Sequence, residues 1–221
     1  MTGRPRLLLF DLDGTLVDSA PDLAGAANDL RAAHGLAPLP YEVLRPMVGT
    51  GARGMVGVAF GAAPGDEHFE ALRDAFLARY AERLLDNTRV FDGMLPVLDA
   101  LDAAGLPWGI VTNKAMRFTA PLVEGLGLSV RSAVVIAGDT TPHAKPHPAP
   151  LLEAARRAGV ATEGCAYVGD DQRDIVAGRA AGMAALAAGW GYLGQGEPVH
   201  AWGADQVLSS PTALLQWLEL P

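Results

Sequence analysis

Four consecutive apolar residues, Leu7-Leu8-Leu9-Phe10, stop abruptly at Asp11-Leu12-Asp13-Gly14, and runs of the same form recur along the chain at 106–112, 133–137 and 166–169. The run at 184–188 is a weaker case, because its alanines also favour helix. None of these runs alternates apolar with polar positions, so each predicts a strand buried on both faces. Between them the apolar residues fall at helical spacing over 95–104, 118–126, 149–158 and 175–181, with Gly105 closing a helix just before one strand. Strands alternating with helices of this length predict βα units and an α/β fold, a doubly wound parallel sheet covered on both faces. A late strand at 206–208 and a helix over 211–218 complete the pattern.

From about residue 21 to 89 the rhythm changes. Helical patterns over 22–33, 41–47 and 68–85 are separated by Gly- and Pro-rich turns, with no convincing strand. This predicts a small all-helical cap inserted after the first strand. The core is expected at 1–17 and 90–221, and the cap at 18–89. Gly49-Thr50-Gly51-Ala52-Arg53-Gly54 reads as a flexible loop that carries one cation, Arg53, or else as a plain turn between helices.

Charge and composition narrow the partners. The 221 residues are half hydrophobic and carry a formal net charge of −8, with a pI near 5.0. Such a surface repels nucleic acid and acidic membranes, while a local basic pocket can still hold a small anion. The single cysteine, Cys165, excludes an internal disulfide and reads as a small core residue. No run is long and apolar enough for a signal-peptide core or a membrane span, so a cytoplasmic location is expected. The five histidines are scattered without metal spacing.

The candidate chemistry sits at strand ends, where ligands bind in open parallel sheets. Asp11 and Asp13 follow the first strand, and two acids two residues apart there need a compensating cation or proton. Gly14 allows a sharp turn. A polar strand end that caps the next helix is the plainer alternative. Thr112, Asn113 and Lys114 follow a second strand, where a hydroxyl and free amides suit a phosphate oxygen, although Thr-Asn also caps helices. Lys145 lies in Ala144-Lys145-Pro146-His147-Pro148, where prolines restrict the segment. Asp170, Asp171 and Asp174 open a helix after a fourth strand, and oxygen ligands at such a place suit a hard cation such as Mg²⁺.

The order Asp-x-Asp-Gly-Thr-Leu-Val-Asp-Ser, Val-Thr-Asn-Lys, Lys-Pro-x-Pro, Val-Gly-Asp-Asp closely resembles the haloacid dehalogenase-like hydrolase superfamily. Ser19-Ala20-Pro21-Asp22-Leu23 and Lys145-Pro146-His147-Pro148-Ala149-Pro150 are similar to the phosphoglycolate phosphatases within it. The resemblance implies that Asp11 attacks phosphorus and that Asp13 is general acid, then base. It also implies that Asp11, the main-chain carbonyl of Asp13 and Asp170 hold Mg²⁺, and that Thr112, Asn113 and Lys145 bind the phosphoryl group. Asp171 stands where many relatives have serine, so whether Asp171 or Asp174 supports the metal is left open.

The implied activity is that of a phosphatase with an aspartyl-phosphate intermediate, acting on a small-molecule phosphomonoester as monomer or homodimer. The substrate expected first is 2-phosphoglycolate, with Arg53 reading its carboxylate. Trp108 to Lys114, Asp170-Asp171, Gly178-Arg179 and Trp202-Gly203-Ala204-Asp205 also look similar to the N-acetylmuramic acid 6-phosphate phosphatases of cell-wall recycling. A phosphomutase fits less well, and a dehalogenase would not need Asp13. The alternative from another class is a catalytically idle binding protein on the same fold.

Overall fold

A computed structural model describes residues 4–221. Leu7–Phe10 (β1) lies at the centre of a six-stranded sheet with the order β5-β4-β1-β6-β7-β8, made with Trp108–Val111 (β4), Val134–Ile136 (β5), Cys165–Gly169 (β6), Ala184–Ala188 (β7) and Gln206–Leu208 (β8). Every pairing in this sheet is parallel. The four residues of β1 are fully buried because their side chains alternate between two cores. Leu8 and Phe10 pack with Val97 and Leu98 of Met94–Ala103 (α5) and Leu122 of Met116–Gly125 (α6). Leu7 and Leu9 pack with Leu151 of Ala149–Ala158 (α7) and Ala177 of Gln172–Ala180 (α8). Each large apolar side chain so buried contributes about 1.5–3 kcal/mol.

The chain passes from β1 to β4 and β5 on one side, then crosses back to β6, β7 and β8 on the other. The order therefore reverses about β1, and the crevice of the doubly wound sheet opens at the carboxyl ends of β4, β1 and β6. Those ends carry Thr112, Asp11 and Asp170.

Between Val17–Asp18 (β2) and Arg89–Val90 (β3) the described chain carries four α-helices and no strand: Ala20–Ala33 (α1), Tyr41–Leu44 (α2), Gly51–Phe60 (α3) and Phe69–Glu82 (α4). β2 and β3 pair antiparallel, Val17 with Val90 and Asp18 with Arg89, so the chain leaves and re-enters the sheet domain side by side. Fully buried Asp22 fastens the same place. It accepts hydrogen bonds from the amide and side chain of Asn87 and from the amide and hydroxyl of Thr88, at 2.8–3.1 Å. A buried carboxylate is tolerable when its lone pairs are filled in this way.

Two features differ from the expectation. The two-residue strands β2 and β3 are too short to leave a periodic signal. Helix α3 occupies the segment read as a loop around Gly51 and Gly54. Glycine costs a helix about 1 kcal/mol, but burial of Met55, Val56 and Ala59 against neighbouring helices outweighs it here.

Candidate active site

The crevice holds a cavity of about 330 Å³ that reaches Asp11, Asp13, Thr112, Lys145, Asp170 and Asp174 from the sheet side. Lys145 is its electrostatic centre. Its side chain is only 3% exposed, and its ammonium lies 2.8 Å from Asp11 Oδ1 and 2.7 Å from Asp174 Oδ1. It also donates to the Tyr167 hydroxyl at 2.7 Å and the Val111 carbonyl at 3.1 Å. Asn113 sets the Lys145 backbone: its amide nitrogen donates to the Lys145 carbonyl and its oxygen accepts from the Lys145 amide, both at 2.9 Å. Asn113 was expected to bind phosphate. It lines the cavity, and its side chain also holds the Lys145 backbone in place.

Asp170 is 3% exposed and accepts from the Thr15 hydroxyl at 3.0 Å and the Tyr192 amide at 2.8 Å. Gly14 makes room for it, because a Cβ at that position would stand 2.1 Å from Asp170 Oδ2, and φ there is +87°. Asp11, Asp170 and Asp174 each present an oxygen within 4.8 Å of the others, and all three are buried. With all ionised, three carboxylates against the one Lys145 ammonium leave two negative charges. Burial, opposed by Lys145, pushes Asp11 up to about 7. Burial, then Asp11 and Asp174, raises Asp170 well above the usual carboxylate range. In addition, Asp11 Oδ1 is buried and makes no hydrogen bond of acceptable angle, although Lys145 is in ion-pair range. Two surplus negative charges and an unsatisfied oxygen among oxygen donors fit a divalent hard cation.

Asp171 and Asp174 separate clearly in space. Asp174, 1% exposed, turns inward to Lys145 and to the Tyr167 hydroxyl. Asp171 also lines the cavity, but its carboxylate caps α8 and pairs with Arg173. Burial works to raise the Asp171 carboxyl, but two Arg173 contacts at 2.7 and 2.8 Å outweigh it and hold it below its ordinary value. Arg173 in turn donates to the Gly49 carbonyl, joining α8 to the helical insertion.

Asp13 accepts from Ser19 Oγ and from Lys114 Nζ, the latter at 2.9 and 3.1 Å. Burial opposes the Lys114 ammonium, yet the Asp13 carboxylate, with Tyr80 alongside, outweighs burial and raises its pKa. Lys114 stands in the strand-end motif with Thr112 and Asn113, but the sequence suggested no role for it. Arg53 is the opposite case: it is exposed on α3 and does not line the cavity, whereas Gly49, Thr50, Gly51 and Ala52 do.

A profile of the haloacid dehalogenase-like hydrolase family matches residues 8–188, a span that includes every sheet residue just described except those of β1's first position and β8. The chain belongs to that family. Among its relatives is a phosphoglycolate phosphatase of Xanthomonas campestris pv. campestris, 47% identical over 211 residues that cover 95% of each chain. Another is an N-acetylmuramic acid 6-phosphate phosphatase of Pseudomonas aeruginosa, 42% identical over 217 residues, 98% of this chain and 96% of the other. The crystal structure of a predicted phosphoglycolate phosphatase from Haemophilus somnus 129pt superimposes with a TM-score of 0.86 at 27% identity, covering 98% and 99% of the two chains. In this haloacid dehalogenase-like chain no described helix is long and apolar enough to cross a membrane.

Proposed function

We propose that the chain is a Mg²⁺-dependent phosphatase that hydrolyses a small phosphomonoester through a phosphorylated Asp11, with 2-phosphoglycolate as its first substrate. The observation that carries this reading is the convergence of Asp11, Asp170 and Asp174 on Lys145 at the crevice, with Asp13 beside them. An Asp11 oxygen bonds to phosphorus as the ester P–O bond breaks, and Asp13 gives its proton to the leaving oxygen. Asp13 then takes a proton from the water that attacks phosphorus, and the P–O bond to Asp11 breaks, restoring the carboxylate. Lys145 and Thr112 face the phosphoryl oxygens, where fixed donors favour the charge of the transition state. Asp11, Asp170 and the Asp13 carbonyl would hold Mg²⁺, with Asp174 orienting Lys145 behind them. The bound ion supplies further neutralisation of phosphoryl charge.

The second reading, an N-acetylmuramic acid 6-phosphate phosphatase, has a close relative in its favour. Of the residues that carry that resemblance, Thr112, Asn113, Lys114, Asp170 and Asp171 line the cavity and serve either reading, while the rest lie away from the chemistry. Arg179 donates to the Gly203 carbonyl and Asp205 accepts from the Ala185 amide, so these residues brace the β7–β8 edge and none lines the cavity. An idle binding protein would not need Asp11, Asp13, Lys145 and Asp170 all in place.

Phosphate release decides among these readings. 2-Phosphoglycolate, N-acetylmuramic acid 6-phosphate and p-nitrophenyl phosphate are assayed with Mg²⁺ and with excess chelator. Turnover should need Mg²⁺ and should favour 2-phosphoglycolate, and Asp11→Asn should abolish it. An Asp11→Asn enzyme that kept more than about a tenth of the rate, a barrier change under ~1.4 kcal/mol, would rule out covalent catalysis there.

A further inference from the structure

We propose that Lys114 and Tyr80 together form a subsite that reads the carboxylate of the leaving group and so selects phosphate esters of 2-hydroxy acids. The inference rests on the phosphatase reading above and names the substrate class of that same site. Lys114 comes from the loop after β4, at the sheet, and Tyr80 from α4 of the helical insertion. Both line the cavity that contains Asp11 and Asp13. The Lys114 ammonium, on a side chain only 7% exposed, lies 4.7 Å from the centre of the Tyr80 ring. Tyr80 itself is 1% exposed, and its buried hydroxyl stands against the Lys114 ammonium without a hydrogen bond of acceptable geometry to any described residue.

That hydroxyl is the decisive observation. A buried polar group without a partner costs about 1–3 kcal/mol, and native structures contain few. Burial also pushes the Tyr80 phenol up to about 12, so it stays a donor across the working range of pH. An ammonium and a phenol donor side by side on a cavity wall match a carboxylate, which takes one hydrogen bond on each oxygen.

Lys114 is itself paired with Asp13, beside the leaving group, while Lys145 is held by Asp11 and Asp174 on the phosphoryl side. Arg173 is committed to Asp171 and to the Gly49 carbonyl. Arg117 is exposed and stacks on Phe118 at 4.7 Å. Arg53 lies outside the lining.

Distance limits how far the carboxylate can stand from the ester oxygen. As general acid, Asp13 sits one hydrogen bond, about 2.8 Å, from that oxygen. Lys114 is one further contact of 2.9 Å beyond Asp13. A carboxylate joined to the ester oxygen through a single carbon puts its own oxygens roughly 3 Å away, within reach of Lys114. A carboxylate on the far side of a sugar ring is not held there. Because the two donors come from opposite walls, the complete subsite exists only when the helical insertion is seated over the sheet.

The test uses the full chain with Mg²⁺ and compares 2-phosphoglycolate with ethyl phosphate, which is of similar length but lacks the carboxylate. For each protein the quantity read is the ratio of the two kcat/KM values. Lys114→Met should lower that ratio 10- to 150-fold, the range for a lost charge-assisted contact. Tyr80→Phe, which keeps the ring against Phe118, should lower it about 5- to 10-fold. Lys114→Arg should restore part of the loss. Calorimetric binding of glycolate needs no turnover and should weaken at least 10-fold in Lys114→Met, whereas binding of inorganic phosphate should not weaken in parallel. Ratios and glycolate affinities within twofold of wild type in both variants would overturn the subsite and leave Lys114 as a partner of Asp13 alone. An equal loss on N-acetylmuramic acid 6-phosphate would overturn the 2-hydroxy-acid assignment. A wild type inert toward every phosphomonoester would overturn the phosphatase reading, and glycolate binding would still decide the subsite.

Discussion

Asp170 accepts a 2.8 Å hydrogen bond from the amide of Tyr192, and the side chain of that tyrosine reaches back to the start of α1. Its hydroxyl accepts from the Ser19 and Ala20 amides at 2.9 and 3.0 Å and donates to Asp18 at 2.9 Å. Arg45 of the insertion lies over the same ring, 4.9 Å from its centre, and donates to the neighbouring Gly191 carbonyl at 3.3 Å. One residue thus joins a carboxylate of the acidic cluster, the ribbon of β2 and the helical insertion.

Tyr192→Phe should therefore destabilise the protein by about 1–3 kcal/mol, since it leaves the buried Ser19 amide without an acceptor and the Ala20 amide with only its 3.3 Å contact to Asp18. Denaturant unfolding measures this. A change under about 0.5 kcal/mol, the range of an indifferent surface substitution, would mean that water takes over the hydroxyl's place.

Metal binding should depend on pH in a stated direction. The folded pKa of Asp11, about 7, lies above its ordinary value of 3.8. Without a metal, its contribution to stability is complete below pH 3.8 and is lost as pH rises through about 7. A divalent cation needs the ionised form, so binding it below pH 7 releases a proton. The rise in Tm on adding Mg²⁺ should accordingly be larger at pH 8 than at pH 5. Apparent affinity should fall about tenfold per pH unit below 7 for one released proton. Thermal melts with MgCl₂ and with EDTA across that window check it, and a Tm gain independent of pH would contradict the assignment.

Gly14→Ala should be among the most damaging single-methyl changes in the chain. The added carbon would overlap Asp170 Oδ2 at 2.1 Å in a backbone with φ of +87°. Strain of about 1–3 kcal/mol and a displaced Asp170 should lower kcat/KM at least about 100-fold and remove the Mg²⁺-dependent gain in Tm. Retention of that gain would show that the loop relaxes without moving Asp170.

Much of the scaffold was legible without coordinates, because burial on both faces forces parallel strands to be continuous apolar runs. β1, β4, β5, β6 and even the alanine-rich β7 all fall where such runs occur. The hidden parts have physical reasons. β2 and β3 have two residues each and are held by pairing across 70 intervening positions, which no local period records. Helix α3 contradicts its own glycine content, since its stability comes from the helices it packs against.

The chemistry divides along the same line. The spacing of the acids, and their position just past buried runs, placed Asp11, Asp13, Asp170 and Asp174 at one sheet edge, because a buried strand that ends in charge must present that charge at its tip. Nothing in the order of residues distinguished Asp171 from Asp174. That choice depends on which carboxylate the first turn of α8 aims at Lys145 and which it aims at Arg173. Likewise the Asn113 side chain bonds the Lys145 backbone, Arg53 lies outside the cavity lining, and Tyr80 meets Lys114 from another part of the chain. The local sequence determined which groups stand at the crevice. Only tertiary packing decided which way each side chain points, because a rotamer is chosen by its neighbours in space.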